Sequence, residues 1–534
     1  MISTIEILIS LLFVISVVAV VASRLKAPAE ILLAIVGAIL ALAPGLPRLV
    51  LAPEIVLLLV LPPILYSSAV AMSWREFRFN IRPISLLAVG CVVFTTVAVA
   101  AATHWLLGLP WPVGFVIGAI VSPPDAIAPL SIARRLGLPR RIAVILEGEG
   151  LANDATALIL YRFAVAAVSV GAFSLHKALG AFALIVLGEI IWGVAVGWFM
   201  LRLRRWVSNP SVEILLSVLT PFVAYWPPEY LGGSGVLATV ATGLYFSWNG
   251  PALISAATRL QGIFFWAFFA YLIEGMVFLI TGLQARGLIS GISDYSVSEL
   301  MLSALVVSAV VILGRFVWVF ASTYLPRWLI PALARVDPAP SWRASFVLGF
   351  TGIRGIVSLA AALAIPLTTA AGEPFPHRGL ILFLTFAVIV VTLVGQGLLL
   401  PWVIRSLGLA GEGRKERGAE RAEEIGVREE AIRAALERLD QLAAEGGAPE
   451  EAVAPLRSRQ QARLGRFASG ELIDEGRRAL AETRADLELD LIAAERRLVN
   501  DRHHQGALKD EPRRRIERDL DLREAQIANR RSEG

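Results

Sequence analysis

Two aspartates lie inside apolar stretches of the sequence that are long enough to cross a membrane. Asp125 occurs in GFVIGAIVSPPDAIAPLSIA and Asp154 in RIAVILEGEGLANDATALILYRFAV. A carboxylate in hydrocarbon is costly, so acids at this depth mark ion pathways or proton relays. Pro123 and Pro124 precede Asp125, and proline breaks a helix and frees backbone carbonyls. A broken helix beside an acidic helix predicts a site at which Asp125 and Asp154 bind an alkali cation and carry protons.

A second apolar segment is interrupted by glycines and contains a positively charged residue. Arg354 lies in GFTGIRG, and an arginine keeps its proton and therefore needs a counter-ion at depth. The acids available are Glu147, Glu149 and Asp154. We predict that Glu149 pairs with Arg354, which leaves Asp154 and Asp125 free to exchange ions.

Further polar groups complete the predicted constellation. The amide of Asn153 is expected to hydrogen-bond backbone groups at a helix break, and the freed carbonyls of Val121 and Ser122 are expected to add oxygen ligands for a cation. Glu274 and Arg315 are predicted as a second, structural pair. The alternative is that all these groups only satisfy one another; their number and clustering favour ion binding.

The predicted chemistry is a competition between a cation and protons. Two carboxylates in a low-dielectric cavity resist ionising together, whereas a bound cation favours their ionised forms. If the same site opens alternately to each side of the membrane, the result is exchange of cation for proton. No phosphate-binding glycine loop is present, so neither ATP hydrolysis nor any cofactor is expected.

The composition divides the 534 residues into two parts. Overall 56% of residues are hydrophobic and the mean hydropathy is +0.68, yet 28 of the 44 acids and 25 of the 49 bases lie from Glu412 onward. We therefore predict a polytopic membrane domain over 1–411 and a charged, helical cytoplasmic tail over 412–534. The net charge of +5 does not indicate a nucleic-acid partner, and the single cysteine excludes an intrachain disulfide.

Runs of roughly 20 apolar residues are needed to span a bilayer. The sequence contains thirteen such candidates, and we predict an all-α fold with inverted repeats and two interrupted, crossing helices, at 111–134 and 342–366. The candidates are 2–22, 29–46, 53–72, 83–107, 111–134, 140–170, 177–201, 211–231, 234–249, 261–286, 297–324, 342–366 and 379–407.

The basic residues of the loops predict the orientation. Alternate loops carry 16 Lys and Arg residues, and the remaining loops carry 4. Because basic loops stay in the cytoplasm, the N-terminus is predicted outside and the tail inside, in the plasma (inner) membrane.

Four motifs give the chain a family resemblance. LVLPPILYSSAVAM, GAIVSPPDAIAP, ILEGEGLANDATALILYRFAV and GFTGIRGIVSLAAALAIP occur in the order and spacing of the bacterial sodium/proton exchangers of the cation–proton antiporter-1 group, which includes the animal sodium/hydrogen exchangers. The resemblance covers roughly residues 1–407. It implies a thirteen-helix fold, a homodimer embedded in membrane lipid, and electroneutral exchange of sodium (or lithium) for a proton.

The resemblance also implies roles for individual residues. Asn153 and Asp154 match the family's Asn-Asp pair, with Asp154 as the principal ion-binding and proton-carrying group. Asp125 matches the broken-helix aspartate. The family's Glu–Arg pair, which braces the core, matches Glu149 and Arg354, and its later buried Glu and Arg are similar to Glu274 and Arg315.

The chain departs from the family pattern at three positions. Pro124 stands where a threonine is common, Gly150 where a serine is common, and Ser67 where an acid is common. Because these losses remove oxygen ligands, potassium/proton exchange on the same fold stays open as an alternative. Two alternatives of another class are a cation channel and an intramembrane aspartyl protease, but the chain lacks the protease's Gly-x-Gly-Asp motif.

Overall fold

We describe a computed structural model of the chain. It describes residues 4–25, 28–43, 52–170, 175–207, 209–250, 253–285, 295–445, 449–468, 475–505 and 507–533. Within these ranges the regular structure is helical, as predicted, apart from one isolated bridge between Thr368 and Pro374.

Each of the thirteen predicted segments coincides with one helix or with a pair of helices. The membrane-domain helices are α1 Thr4–Leu25, α2 Ala29–Ala41, α3 Ile55–Ala71, α4 Trp74–Phe79, α5 Ile81–Leu107, α6 Trp111–Val121, α7 Ile127–Leu136, α8 Arg140–Val170, α9 Leu175–Arg204, α10 Pro210–Tyr230, α11 Val236–Asn249, α12 Ala256–Leu283, α13 Val297–Leu329, α14 Pro331–Val336, α15 Trp342–Phe350, α16 Ile356–Leu363 and α17 Arg378–Ser406.

Seven of the described helices are long and apolar enough to cross a bilayer without interruption. They are α1, α5, α8, α9, α12, α13 and α17. The others are shorter or broken, so the count of thirteen membrane crossings stays a prediction.

The helices pack as two bundles. The first contains α1 to α3 and α9 to α12, and the second contains α5 to α8, α13 and α15 to α17. Small residues permit the closest approaches, as is common between membrane helices. A Cβ atom added to Gly37 on α2 would lie 2.2 Å from the carbonyl oxygen of Leu279 on α12, so this crossing requires glycine.

Both predicted interruptions are observed, and both lie in the second bundle. The chain is non-helical between Val121 and Ile127, where two prolines prevent continuation, and between Phe350 and Ile356, a stretch that contains Gly352 and Gly355. The two breaks touch, because the backbone N–H of Asp125 donates to the carbonyl of Ile353 at 2.7 Å. The sequence therefore places two sets of unpaired backbone groups at one point in the fold.

The chain separates into two compact units, Met1–Arg414 and Lys415–Gly534. The charged region contains helices α18 Leu409–Ala444, α19 Glu450–Ala468, α20 Glu475–His504 and α21 Asp510–Glu533. In the second unit, α20 and α21 pack together through the buried side chains of Ile492, Leu520 and Ile527.

Candidate ion-binding site

Asp125 and Asp154 line the same cavity, as the sequence predicts. The cavity has a volume of about 90 Å³ and lies between α3 of the first bundle and α7, α8 and α16 of the second. Its polar lining includes Glu147, Ser68 and Ser358, and the rest is mostly apolar. This volume is sufficient for several water molecules, and therefore for a small cation that keeps part of its hydration shell.

The backbone of both breaks contacts the Asp125 carboxylate. Its Oδ1 atom accepts a hydrogen bond of 2.9 Å from the N–H of Ile127, the first residue of α7. The start of a helix favours an anion at this position. The other oxygen lies against Gly355, where an added Cβ would approach Oδ2 to 1.9 Å. Only glycine leaves room here, so the second break is shaped around the Asp125 carboxylate.

Asp154 has a different environment. Asp154 is only 8% exposed. Within the described residues, neither of its carboxylate oxygens accepts a hydrogen bond or forms an ion pair. A buried carboxylate with no donor is costly to ionise unless a cation or proton binds it. Asp154 is therefore the site residue whose charge depends most on an exchangeable ion.

Asn153 connects α8 to the first break. Its Nδ2 atom donates to the carbonyl of Pro124 at 2.6 Å, as predicted for an amide beside unsatisfied backbone. Its Oδ1 atom is buried and has no hydrogen-bond partner in the described structure. One end of the amide thus holds the break in place, and the other remains available as an acceptor.

The predicted pairing of Glu149 with Arg354 is wrong. Glu149 pairs with Arg315, whose Nη1 and Nη2 atoms lie 2.5 and 2.8 Å from the two carboxylate oxygens. The guanidinium also donates from Nε to the carbonyl of Leu348 at 3.1 Å, and both side chains are fully buried. This bidentate geometry satisfies both charges at once, because α13 brings Arg315 to the depth of Glu149.

The predicted pair of Glu274 and Arg315 is wrong for the same reason, since Arg315 is already occupied. Glu274 forms no ion pair within the described residues, and the charged groups that act on it electrostatically are Asp125, Glu30 and Arg134. Glu274 thus belongs to the acidic surroundings of Asp125 and not to a structural pair.

Arg354 has backbone partners. Its guanidinium donates to the carbonyls of Val121 at 2.9 Å, Ser122 at 3.4 Å and Gly352, and its own N–H donates to Thr392 Oγ1 at 3.0 Å. The first break leaves the carbonyls of Val121 and Ser122 without helical partners. We expected these carbonyls to coordinate a cation, but they accept hydrogen bonds from Arg354 instead. Arg354 therefore joins the two breaks and satisfies these carbonyls.

Sequence reasoning missed the two hydroxyls at the cavity. Ser68 and Ser358 line it, and Ser358 Oγ is buried without a hydrogen-bond partner in the described structure. The neighbouring Ser67, which we compared with the family pattern, instead donates to the carbonyl of Ile64 within its own helix. Helical spacing was the available signal, since Ser68 is one turn beyond Ile64 and Leu65, which also line the cavity.

Gly150, a departure from the family pattern, fits its surroundings closely. A Cβ added there would lie 2.5 Å from the Cβ of Ala126, next to Asp125. We predict that Gly150→Ser destabilises the protein by about 1–3 kcal/mol through overpacking, and slows exchange by displacing Asp125. The measurements are thermal unfolding in detergent and transport in proteoliposomes. Gly180→Ser, at a position with open space, is the matched control; faster exchange in Gly150→Ser would contradict the prediction.

Comparison with known proteins agrees with the motifs. The family model described as "Sodium/hydrogen exchanger, transmembrane" matches residues 8–406. An uncharacterized Na⁺/H⁺ exchanger of Mycobacterium tuberculosis is 35% identical over 530 residues, which cover 98% of this chain and 96% of the relative. A sodium, potassium, lithium and rubidium/H⁺ antiporter of Bacillus pumilus is 35% identical over 378 residues, 68% of this chain and 56% of that protein.

The fold is also similar to a solved structure. The sodium proton antiporter MjNhaP1 from Methanocaldococcus jannaschii at pH 8 matches with a TM-score of 0.60 and 20% sequence identity. The match covers 76% of this chain and 98% of that one. At this identity, the comparison supports the fold alone.

Proposed function

Because this chain belongs to the sodium/hydrogen exchanger family, we propose that it exchanges sodium or lithium for protons across the plasma membrane, at a site made by Asp125 and Asp154. The observation that carries the proposal is the meeting of these two carboxylates in one cavity between the helix bundles. In this proposal the chain is an electroneutral secondary transporter, a homodimer, with its N-terminus outside and its tail in the cytoplasm.

The two aspartates have unequal tasks in the proposed exchange. Asp125 is already stabilised by the N–H of Ile127, so it can stay ionised and attract a cation. Asp154 has no donor in the described structure and has to take up either the cation or a proton. Hydroxyls of Ser68 and Ser358, together with water, would complete an oxygen shell of the kind that hard cations prefer.

The cavity lies between the two bundles, which suits a mechanism in which the ion site opens alternately to each side of the membrane. Both aspartates are on the second bundle, whereas α3 of the first bundle closes the opposite wall. A rigid movement of one bundle against the other would move the site from one side of the membrane to the other. The two touching breaks, joined by Arg354, would move as one piece with the carboxylates.

Potassium/proton exchange on the same fold is the second candidate. The relative from Bacillus pumilus is named for transport of sodium, potassium, lithium and rubidium. Oxygen ligands common in the family are absent at Pro124 and Gly150, and the remaining lining is mostly apolar. A loosely coordinating site discriminates weakly among alkali cations.

The test is cation-dependent proton movement in acid-loaded proteoliposomes. Na⁺, Li⁺ or K⁺ is added outside, and internal pH is followed with a fluorescent dye. Sodium and lithium responses that are unchanged when valinomycin and potassium clamp the voltage support electroneutral exchange. A response to potassium alone, measured with a protonophore control, supports the second candidate, and no response to any alkali cation contradicts both.

A further inference from the structure

A second cavity lies at one end of the second bundle, away from the aspartates. It has a volume of about 250 Å³ and is formed by the ends of α5, α8, α13 and α15. Three arginines line it, Arg82, Arg141 and Arg327, one from each of three helices. Since these arginines lie at helix ends beside loops that we propose to be cytoplasmic, the cavity would open at the inner face of the membrane.

The three guanidinium groups share one carboxylate. Asp337, in the loop after α14, accepts hydrogen bonds from Arg327 at 2.7 Å, Arg141 at 2.8 Å and Arg82 at 3.3 Å. Glu412 lines the cavity, whereas Asp337 contacts the arginines from outside the lining. Even with both carboxylates ionised, the arginines outnumber them, so the cavity keeps an excess of positive charge.

Guanidinium donors remain available for a ligand. Arg82 makes one hydrogen bond in the described structure, through Nη1. Arg141 uses Nε for Asn80 and Nη2 for Asp337, and its Nη1 is not engaged in either contact. The side chains of Arg82 and Arg141 are 29% and 37% exposed, so an anion can reach them.

Most of the remaining lining of the cavity is apolar, with hydroxyl groups added by Ser322, Thr323 and Ser341. Leu86 and Leu87 of α5, Ile142 and Ile145 of α8, and Val319 of α13 lie deeper than the arginines along their helices. The cavity has cationic donors at its mouth and hydrocarbon side chains beneath. A phospholipid matches this arrangement, because its phosphate would contact the arginines while the start of its acyl chain contacts the apolar side chains. A free phosphate ion would use only the mouth.

We propose that this cavity binds the headgroup phosphate of an anionic phospholipid from the cytoplasmic leaflet, with Arg82 and Arg141 as principal donors. Asp337 holds the arginines in place and also competes with the phosphate, because both are anions. The bound lipid would contact four helices of the second bundle. This inference goes beyond the proposed exchange and does not depend on which cation is transported.

The charge of Asp337 is constant under physiological conditions. Partial burial acts to raise the pKa of its carboxyl, but the hydrogen bond from Arg141 and the charges of the three arginines together lower the pKa below its ordinary value. A lowered pKa means that its contribution to folding is complete above about pH 4 and is lost only in stronger acid. The competition of Asp337 with the phosphate is therefore expected to stay the same as cytoplasmic pH changes.

The test compares lipids on the purified full chain. Thermal unfolding is followed in detergent while phosphatidylglycerol, phosphatidylcholine or inorganic phosphate is titrated. We expect phosphatidylglycerol to raise Tm with a saturable dependence, and phosphatidylcholine to have a much smaller effect. Arg82→Gln should weaken apparent phosphatidylglycerol affinity about fivefold, which corresponds to about 1 kcal/mol for one arginine near an anionic lipid. Arg335→Gln, at an exposed position on α14 outside the cavity lining, should change it little.

Asp337→Asn separates a lipid site from a purely structural clamp. If the cavity binds lipid, this variant should bind phosphatidylglycerol more tightly, even if it is less stable without lipid. Equal effects of the two lipids, equal affinities of Arg82→Gln and Arg335→Gln, or weaker binding by Asp337→Asn would overturn the proposal. Stabilisation by inorganic phosphate equal to that by phosphatidylglycerol would also overturn it, because the apolar walls would then have no part in binding.

Discussion

Asp154→Asn is expected to reduce cation-dependent proton movement to the level of protein-free liposomes while leaving the protein folded. The amide keeps the shape of the carboxylate but can neither ionise nor carry a proton at neutral pH. Since Asp154 has no hydrogen-bond donor in the described structure, removal of its charge leaves no partner unsatisfied. The melting temperature should therefore be equal to or higher than that of the wild type, because a buried and unpaired charge is costly.

The measurement combines transport in proteoliposomes with thermal unfolding of the same preparation. Asp501→Asn, an exposed aspartate in the charged tail, is the control and should transport normally. Exchange by Asp154→Asn within about twofold of the wild-type rate would remove Asp154 from the mechanism. Loss of exchange together with a collapse of stability would assign it a structural role instead.

The second large effect is expected at Arg315. Arg315→Met leaves the carboxylate of Glu149 buried without its bidentate partner, and breaking a buried pair in this way costs about 3–5 kcal/mol. Most of that cost comes from the charge left behind. The double variant Glu149→Leu with Arg315→Met should therefore recover much of the lost stability, since apolar residues often replace a buried pair without loss.

Thermal unfolding in detergent measures these effects. Arg162→Met is the control, because its ion pair with Glu229 is partly exposed and should contribute less. An Arg315→Met variant that melts at the wild-type temperature would contradict the prediction. A double variant as unstable as the single one would also contradict it, because the unpaired charge of Glu149 would then not be the cause of the lost stability.

Local chemistry explains which parts of the fold were predictable. Pro123 and Pro124 break any helix that contains them, so the first interruption was predictable from two residues. Asn153 was correctly predicted to contact a break, because a buried amide beside unpaired carbonyls has few other partners. In both cases, the cause and the effect are close together in the sequence or on one helix.

The partner of Arg354 was not predictable in this way. Glu149 and Arg315 are 166 residues apart, and several acids and arginines at similar depth allow many pairings. The correct pairing depends on the rotation and height of α13 relative to α8, which the hydrophobic pattern does not specify. The hydroxyls of Ser68 and Ser358 were missed for a related reason: helical spacing puts Ser68 on one face with Ile64 and Leu65, but it does not show that this face meets the cavity.

The partners of Arg354 have a consequence for membrane voltage. Carbonyls accept its hydrogen bonds but carry no net charge, so its positive charge is not cancelled by a carboxylate within the described residues. Glu149 and Arg315 cancel one another, and so do Glu147 and Arg134. When Asp125 and Asp154 are both ionised, these core groups of the second bundle therefore have one net negative charge.

One bound alkali cation brings that total to zero, and so does one bound proton. Under the proposed mechanism both loaded carriers are then uncharged, and the membrane potential has no effect on either half of the cycle. The empty carrier has one net charge, and moving it would change its energy by about 2.3 kcal/mol for each 100 mV, in addition to the cost of placing a charge in a low-dielectric region. The uncancelled charge of Arg354 would thus allow the two loaded crossings and oppose the empty one, which is the condition for strict one-for-one exchange.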